Sequence, residues 1–314
     1  MENYRLTEPR YEAMNYRRCG RSGLLLPEIS LGFWHNFGAD ADPERCRAIV
    51  EAAFEGGITC FDLANNYGLP YGAAETAFGR IYDRSLRSHR DEILVATKAG
   101  HDMWPGPYGE WGSRKHLFAS LDRSLRRLQL DYVDIFYSHR PDPRTPLEET
   151  MQALVDIVRS GRALYVGISK YPPEMAARAY AYLRGAHVPC VVYQGRYNLL
   201  ERTAEAEILP QAVAEGVGYV AFSPLAQGLL TDRYLNGIPE DSRMRRSRFL
   251  DESVLTPELL ARLRAWNEEA AAEGLTLAQY ALRWILRRPE VASVIVGASS
   301  VEQLQANLKA VSAR

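Results

Sequence analysis

The sequence predicts an α/β protein, a (β/α)8 TIM barrel with an N-terminal β-hairpin and a long loop after the seventh barrel strand, and three observations carry that expectation. Short apolar runs recur eight times along the 314 residues, each followed by a stretch with helical spacing. Alternation of that kind needs parallel strands joined by crossover helices. Runs such as Ile-Leu-Val-Ala-Thr and Val-Ile-Val-Gly are apolar on both faces, as strands covered on both sides must be. Eight such units favour closure into a barrel.

After a polar opening, residues 16–19 and 24–27 flank Gly20-Arg21-Ser22-Gly23 and read as a hairpin. The barrel strands are expected at 29–34, 59–63, 93–98, 133–138, 163–169, 190–194, 218–222 and 293–297. Apolar residues at spacings of three and four place helices at 43–55, 114–128, 147–159, 173–184 and 204–214, with two more at 257–272 and 276–287. Between the seventh strand and those last two helices runs the longest irregular stretch, 223 to about 256, and a loop of that length in a compact domain is expected to be functional. No repeat, low-complexity tract or Pro/Ser-rich linker marks a boundary, so residues 1–314 read as one domain.

Composition narrows the function. With 38 Lys+Arg against 39 Asp+Glu the net charge is −1, which lacks the cation excess that displaces counterions from nucleic acid. The four cysteines, Cys19, Cys46, Cys60 and Cys190, are scattered without a Cys-x-x-Cys pair, so neither a disulfide framework nor a structural zinc site is expected. Residues 1–10 lack a signal-peptide core and no run approaches about 18 uninterrupted apolar residues. A cytoplasmic protein without a membrane partner follows.

Barrels of this type do their chemistry where the strands end in the C-terminal direction. Asp62 closes the second apolar run with Tyr67 just beyond, Lys98 closes the third, and the fourth passes through Ser138 into His139. Each alone has an ordinary explanation as a cap, a buried partner or a solvated end. On successive strands of one barrel face they converge on a proton-donating site. A tyrosine of pKa about 10 is a poor acid at neutral pH, but an adjacent ammonium stabilises the phenolate and is expected to lower that value. Lys98 can supply that charge, Asp62 can keep Lys98 protonated, and His139 can orient a carbonyl oxygen toward Tyr67. Such a site reduces a carbonyl when hydride is supplied, and needs no metal.

The segments Phe-Asp62-Leu-Ala-Asn-Asn-Tyr67-Gly, Ala-Thr-Lys98-Ala-Gly and Asp-Ile-Phe-Tyr-Ser-His139-Arg-Pro-Asp, spaced by 5, 31 and 41 residues, resemble the catalytic tetrad of the aldo-keto reductases. The resemblance covers nearly the whole chain, including Leu-Tyr-Val-Gly-Ile-Ser, Phe-Ser-Pro-Leu-Ala-Gln-Gly-Leu-Leu and Val-Gly-Ala-Ser-Ser-Val-Glu-Gln-Leu. It is similar above all to the branch of voltage-gated potassium channel β subunits and bacterial L-glyceraldehyde 3-phosphate reductases. Leu-Gly-Phe-Trp-His-Asn-Phe-Gly and His-Asp-Met-Trp-Pro-Gly-Pro-Tyr-Gly look most like the reductases, and channel β subunits commonly carry Asn where His139 stands.

The resemblance implies NADPH/NADP+ extended across the barrel mouth, small aldehyde or ketone substrates, and room for a homo-oligomer. Ser169 and Gln194 match carboxamide-binding positions, and Phe222 the aromatic that stacks on the nicotinamide. Ser223, Leu225 and Gly228 match the pyrophosphate loop, Arg233 and Arg243 its basic positions, and Ser299, Gln303 and Asn307 the adenosine end. Ala306 stands where the branch often has a Glu that contacts the adenine amine. Trp34 is assigned to both cofactor and substrate pocket, with Trp104 and Tyr108 as further pocket walls.

A barrel that follows strands seven and eight with a helix N-terminus near Ser300 offers a phosphate cradle on general grounds as well. A Rossmann reading fails because the Gly-x-Gly-x-x-Ala match at 216–221 overlaps a strand instead of following one. The competing reading of another class is a cofactor-sensing regulatory subunit that acts by binding a partner. The intact Asp62, Tyr67, Lys98 and His139 set favours turnover.

Overall fold

Two-residue alternation within a closed sheet sorts the side chains of this protein into layers. In the computed structural model, which describes residues 10–240, 242–246 and 250–311, the hairpin strands β1 (Tyr16–Arg18) and β2 (Leu25–Pro27) come first. Then follow β3 (Ile29–Gly32), β4 (Cys60–Asp62), β5 (Leu94–Ala99), β6 (Val133–Ser138), β7 (Ala163–Ser169), β8 (Cys190–Arg196), β9 (Gly218–Phe222) and β10 (Val291–Val296). These eight are parallel and close on themselves in chain order, with β10 pairing back onto β3. The fold is the (β/α)8 barrel that the sequence predicts.

Helices α1 (Pro43–Glu55), α2 (Ala73–Ile81), α3 (Arg114–Leu128), α4 (Leu147–Arg159), α5 (Pro173–Gly185) and α6 (Ile208–Glu215) follow the strands in turn, then α7 (Arg243–Arg246), α8 (Pro257–Ala272), α9 (Leu277–Leu286) and α10 (Val301–Leu308). Local chemistry sets their starts. Asp42 caps α1 by accepting from Glu44 N at 3.0 Å with Pro43 at the first helical position, and Thr276 with Gln279 forms a capping box on α9. The outward strand faces pack against these helices through residues such as Phe61, Val95, Phe136 and Val166. The inward faces of the lower barrel are filled by Cys60, Ala96, Ile135, Tyr137, Val192, Val220, Ala292 and Ile295.

Several expectations are corrected. The first barrel strand stops at Gly32, so Trp34 lies in the turn beyond it. The helix expected at 204–214 is divided into a 3-10 turn, Thr203–Glu205, and α6, because Pro210 lacks an N–H and fits only the first turn of a helix. The connection between α2 and β5 changes period from α to a π turn at Tyr82–Leu86 and to 3-10 geometry at Arg87–Glu92, so no single helical pattern runs through it. The long stretch after β9 contains 3-10 turns at Ala226–Gly228, Asp232–Tyr234 and Glu252–Val254, with α7 between them. Leu229, Tyr234, Met244 and Leu250 give it a small buried core of its own. Arg248 and the Arg243 and Arg246 side chains lie outside the described residues.

The hairpin closes the N-terminal end of the barrel. Cys19 and Leu26 are buried with the interior cluster, and Cys19 Sγ reaches Val191 O at 3.3 Å. Arg17 donates to the carbonyls of Leu286 at 2.6 Å, Arg288 at 3.1 Å and Val291 at 3.2 Å, and its Nε donates to Glu28 at 2.7 Å. Gly20 has φ +58°, and a Cβ there would stand 2.2 Å from Gly216 O and 2.6 Å from Gly218 N, both backbone atoms that cannot swing aside. Gly20→Ala is therefore expected to destabilise the protein by roughly 2–3 kcal/mol. Urea denaturation reads this directly; a loss below about 0.5 kcal/mol would mean the hairpin can lift off the barrel at little cost.

Candidate active site

The inward alternation that fills the lower barrel continues upward into the mouth. Two residues beyond Cys60 stands Asp62, two beyond Ala96 stands Lys98, two beyond Tyr137 stands His139, two beyond Val192 stands Gln194, and two beyond Val220 stands Phe222. Each pair shares one strand face, so a single pleat step separates packed core from chemistry.

Lys98 is fully buried, and its ammonium spends each of its three N–H groups on a separate acceptor. It donates to Asp62 Oδ2 at 2.6 Å and to Leu63 O at 2.7 Å, and reaches Tyr67 Oη at 3.5 Å. The other carboxylate oxygen of Asp62 accepts from Gln194 Nε2 at 2.8 Å, which ties the fourth residue group to the opposite side of the barrel. Backbone pairing holds the segment between Asp62 and Tyr67 in place, with Leu63 N donating to Ala96 O at 2.8 Å and Asn65 N to Lys98 O at 3.0 Å.

Burial dominates the electrostatics. It pushes the Lys98 ammonium below its usual pKa, while Asp62 works in the opposite direction. It raises Tyr67 well above the ordinary phenol range, with the Asp62 charge adding to the effect. The expectation that Lys98 depresses the Tyr67 pKa is thus reversed, because desolvation of the phenolate outweighs the ammonium. Tyr67 is a protonated phenol touching a cation.

His139 is 3% exposed and its pKa is held well below the usual imidazole value by burial, then by Lys170 and Lys98. Its backbone N–H donates to Ala99 O at 2.9 Å, whereas its Nδ1 is buried without a partner among the described residues. The His139 ring stands edge-on to Tyr67, with centroids 5.8 Å apart, and edge-on to His101 at 4.6 Å.

Four residues that the sequence reading does not single out border this group. His101 follows β5 by two residues, and burial with Lys170 and Arg140 lowers its pKa to about 4. Arg140 donates to Gly100 O at 2.9 Å, pairs with Glu110 and lies 3.8 Å from the Trp111 ring. Lys170 directly follows β7. The signal for Lys170 and Arg140 is simple adjacency, since each is the next residue after one singled out at a strand end; Trp111 carries no local signal, because its φ of +72° and its bond to Gly100 O come from the folded loop.

The remaining candidates are distributed around the mouth. Ser169 is buried, with an Oγ unpartnered among the described residues, beside Gln194, its neighbour in the β7–β8 register. Phe222 ends β9 half-buried, and Ser223 follows in the left-handed region at φ +53°, with Asn198 Nδ2 donating to its carbonyl at 2.9 Å. Leu225 and Gly228 close a turn through a 2.8 Å backbone bond, and Arg233 is exposed on the next turn. Ser299 donates from N and Oγ to Gln303 Oε1 at 2.8 and 2.9 Å at the start of α10, and Asn307 is buried with an Nδ2 unpartnered among the described residues.

Trp34 is 38% exposed beside His35. Trp104 packs on His116, 5.0 Å between centroids, with the Arg123 guanidinium 4.1 Å from its ring. Tyr108 is 55% exposed near Lys115. Both aromatics thus lean on α3 through His116, Arg123 and Lys115.

The model of the aldo/keto reductase family matches residues 28–314. The chain belongs to the aldo-keto reductase family. This aldo-keto reductase is an oxidoreductase, and Asp62, Lys98 and His139 stand at or just beyond the ends of its barrel strands. It is 54% identical to the L-glyceraldehyde 3-phosphate reductase of Escherichia coli K12 over 306 residues, covering 96% of this chain and 88% of that protein. It is 37% identical over 305 residues to a probable voltage-gated potassium channel subunit beta of Arabidopsis thaliana, covering 95% and 91%. A rice protein of the same description is 36% identical over 304 residues, again covering 95% and 91%. No helix among the described residues is long and apolar enough to cross a membrane.

Proposed function

We propose that this aldo-keto reductase reduces short aldehydes of the L-glyceraldehyde 3-phosphate or methylglyoxal type to alcohols with NADPH, Tyr67 acting as the general acid. The observation that carries the reading is the protonated Tyr67 phenol in contact with the Asp62-anchored ammonium of Lys98. The bacterial relative's name supports the substrate class.

The mouth offers fitting groups for a nicotinamide dinucleotide. Ser169 Oγ and Asn307 Nδ2 are buried donors without a partner among the described residues, and an unsatisfied buried polar atom costs about 1–3 kcal/mol unless a ligand or water answers it. Ser169 and Gln194 would hold the carboxamide, Phe222 would pack on the ring with Trp34 nearby, and Ser223, Leu225 and Gly228 would line the pyrophosphate. Arg233 would face the phosphates, with Ser299, Gln303 and Asn307 at the adenosine. When bound, NADPH supplies hydride to the carbonyl carbon.

The chain's own residues handle the proton. His139, kept neutral, donates one hydrogen bond from its protonated ring nitrogen to the carbonyl oxygen and aligns it with Tyr67 Oη. Tyr67 releases its proton to that oxygen as negative charge develops there, and Lys98 stabilises the phenolate left behind. Asp62 keeps Lys98 charged and fixed.

Oxidation of NADPH and NADH measured in parallel against a panel of aldehydes and ketones tests the reading. The expected result is turnover of short aldehydes with a preference for NADPH. Tight NADPH binding without turnover of any carbonyl would sink the reductase assignment and favour a partner-regulating role.

Acid stability provides a separate check. The folded pKa values of His139 and His101 lie below the unfolded value of about 6.5, with His101 near 4. The unfolded chain therefore binds more protons as pH falls below about 6.5, so this stability is complete above 6.5 and is lost on acidification. Urea melts at pH 7.5, 5.5 and 4.5 should show falling stability, with a shallower fall in His101→Asn. Identical slopes for both proteins would exclude a neutral, half-buried His101.

A further inference from the structure

Lys170 and Arg196 stand out among the cations around the mouth. Arg140 is engaged by Glu110, and Lys98 by Asp62, whereas neither Lys170 nor Arg196 forms an ion pair with a carboxylate among the described residues. Both approach the same aromatic ring, each cationic centre 5.7 Å from the Phe222 centroid. They border a cavity of about 480 Å³ that Phe222, Thr203 and Glu201 also line.

Three features aim this pair at the reacting group. Arg196 is two residues beyond Gln194 on β8, so it shares the face on which Gln194 holds Asp62, displaced outward by about 7 Å. Lys170 immediately follows the buried Ser169, and its positive potential reaches His139 and His101. Its backbone is in the left-handed region at φ +62°, a costly conformation for a lysine, with its N–H on Gln194 O at 3.3 Å. Burial and the nearby Lys98, Arg140 and Arg196 bring its pKa down to about 8. Positive charges held together without a counterion are stabilised by an arriving anion.

We infer that Lys170 and Arg196 form an anion subsite that takes the phosphate or carboxylate of an aldehyde substrate while its carbonyl lies at Tyr67 and His139. The inference rests on the reductase reading and adds a substrate property to it: the preferred aldehyde carries an anionic group a few bonds from the carbonyl. Phe222 provides the floor on which both cations rest, which restricts their rotamers before the ligand arrives. Glu201 lines the same cavity, and its carboxylate disfavours a second anionic group beside the first.

The experiment compares kcat/KM for glyceraldehyde 3-phosphate and for glyceraldehyde in the wild type, Lys170→Gln and Arg196→Gln. The ratio of the two cancels any general loss in the site. Each variant is expected to lower the phosphorylated-to-neutral ratio by about tenfold or more, the effect of removing one charged hydrogen-bond partner. Inorganic phosphate should compete with glyceraldehyde in the wild type, with a weaker inhibition constant in both variants. A ratio that moves less than twofold, phosphate inhibition that is not competitive, or a loss that tracks NADPH affinity instead would overturn the subsite. Calorimetric titration of NADPH-loaded protein with inorganic phosphate answers the same question without turnover. If the wild type reduces no aldehyde yet phosphate binding is lost in the variants, the reductase reading fails and the anion site stands.

Discussion

Tyr67→Phe is expected to lower kcat for aldehyde reduction by about 10³-fold, within the range of 10² to 10⁴ that a positioned general acid contributes. The substitution removes one oxygen atom and leaves the ring, whose edge-on contact with His139 is independent of the hydroxyl. Lys98 loses only its longest contact, 3.5 Å, and keeps Asp62 and the Leu63 carbonyl. The site should therefore retain its shape, and NADPH affinity measured by fluorescence titration should stay within about twofold while turnover collapses. A kcat reduced less than tenfold would transfer the proton to another donor and leave Tyr67 a pocket wall.

Lys98→Met is expected to lose stability and activity together, for one electrostatic reason. It leaves the Asp62 carboxylate, 4% exposed, with Gln194 as its remaining side-chain donor. Removing one partner of a buried ion pair costs about 3–5 kcal/mol, because the surviving charge stays desolvated. Adding Asp62→Asn should restore most of that stability, since it eliminates the stranded charge. Activity should not return with it, because Tyr67 still lacks the cation that stabilises its phenolate. Urea denaturation and steady-state kinetics on the two single variants and the double variant separate these effects. A double variant as unstable as the sum of the singles would show that the pair is not coupled.

The barrel and the strand-end places of Asp62, Lys98 and Gln194 were legible in the sequence because both obey the same period of two, whereas Tyr67 lies in the loop beyond β4. Ala96 and Lys98, or Val192 and Gln194, differ only in height along one strand face, so reading where apolar runs end also reads where the mouth begins. What local pattern does not encode is the balance of charges after folding. The protonated state of Tyr67 follows from how much protein covers it, which a spacing of 31 residues from Lys98 does not report. Trp111, Arg140 and Lys170 reach the site through loop conformations, two of them in the left-handed region, that long-range bonds impose. The π and 3-10 turns between α2 and β5 escape for a related reason: the helical period changes twice within 20 residues, 73–92.

The hairpin under the barrel also bears on how the chain reaches this structure. Arg17 binds carbonyls at 286, 288 and 291, so contacts made by the first described strand wait for the last barrel strand, and Cys19 in the hairpin turn waits for Val191 of β8. Closure of β10 onto β3 has the same requirement. Pairings of such sequence separation are slow, since loop entropy must be lost before they form. During synthesis the early βα units consequently emerge with an open sheet edge, and the barrel seals only after residue 296 has left the ribosome.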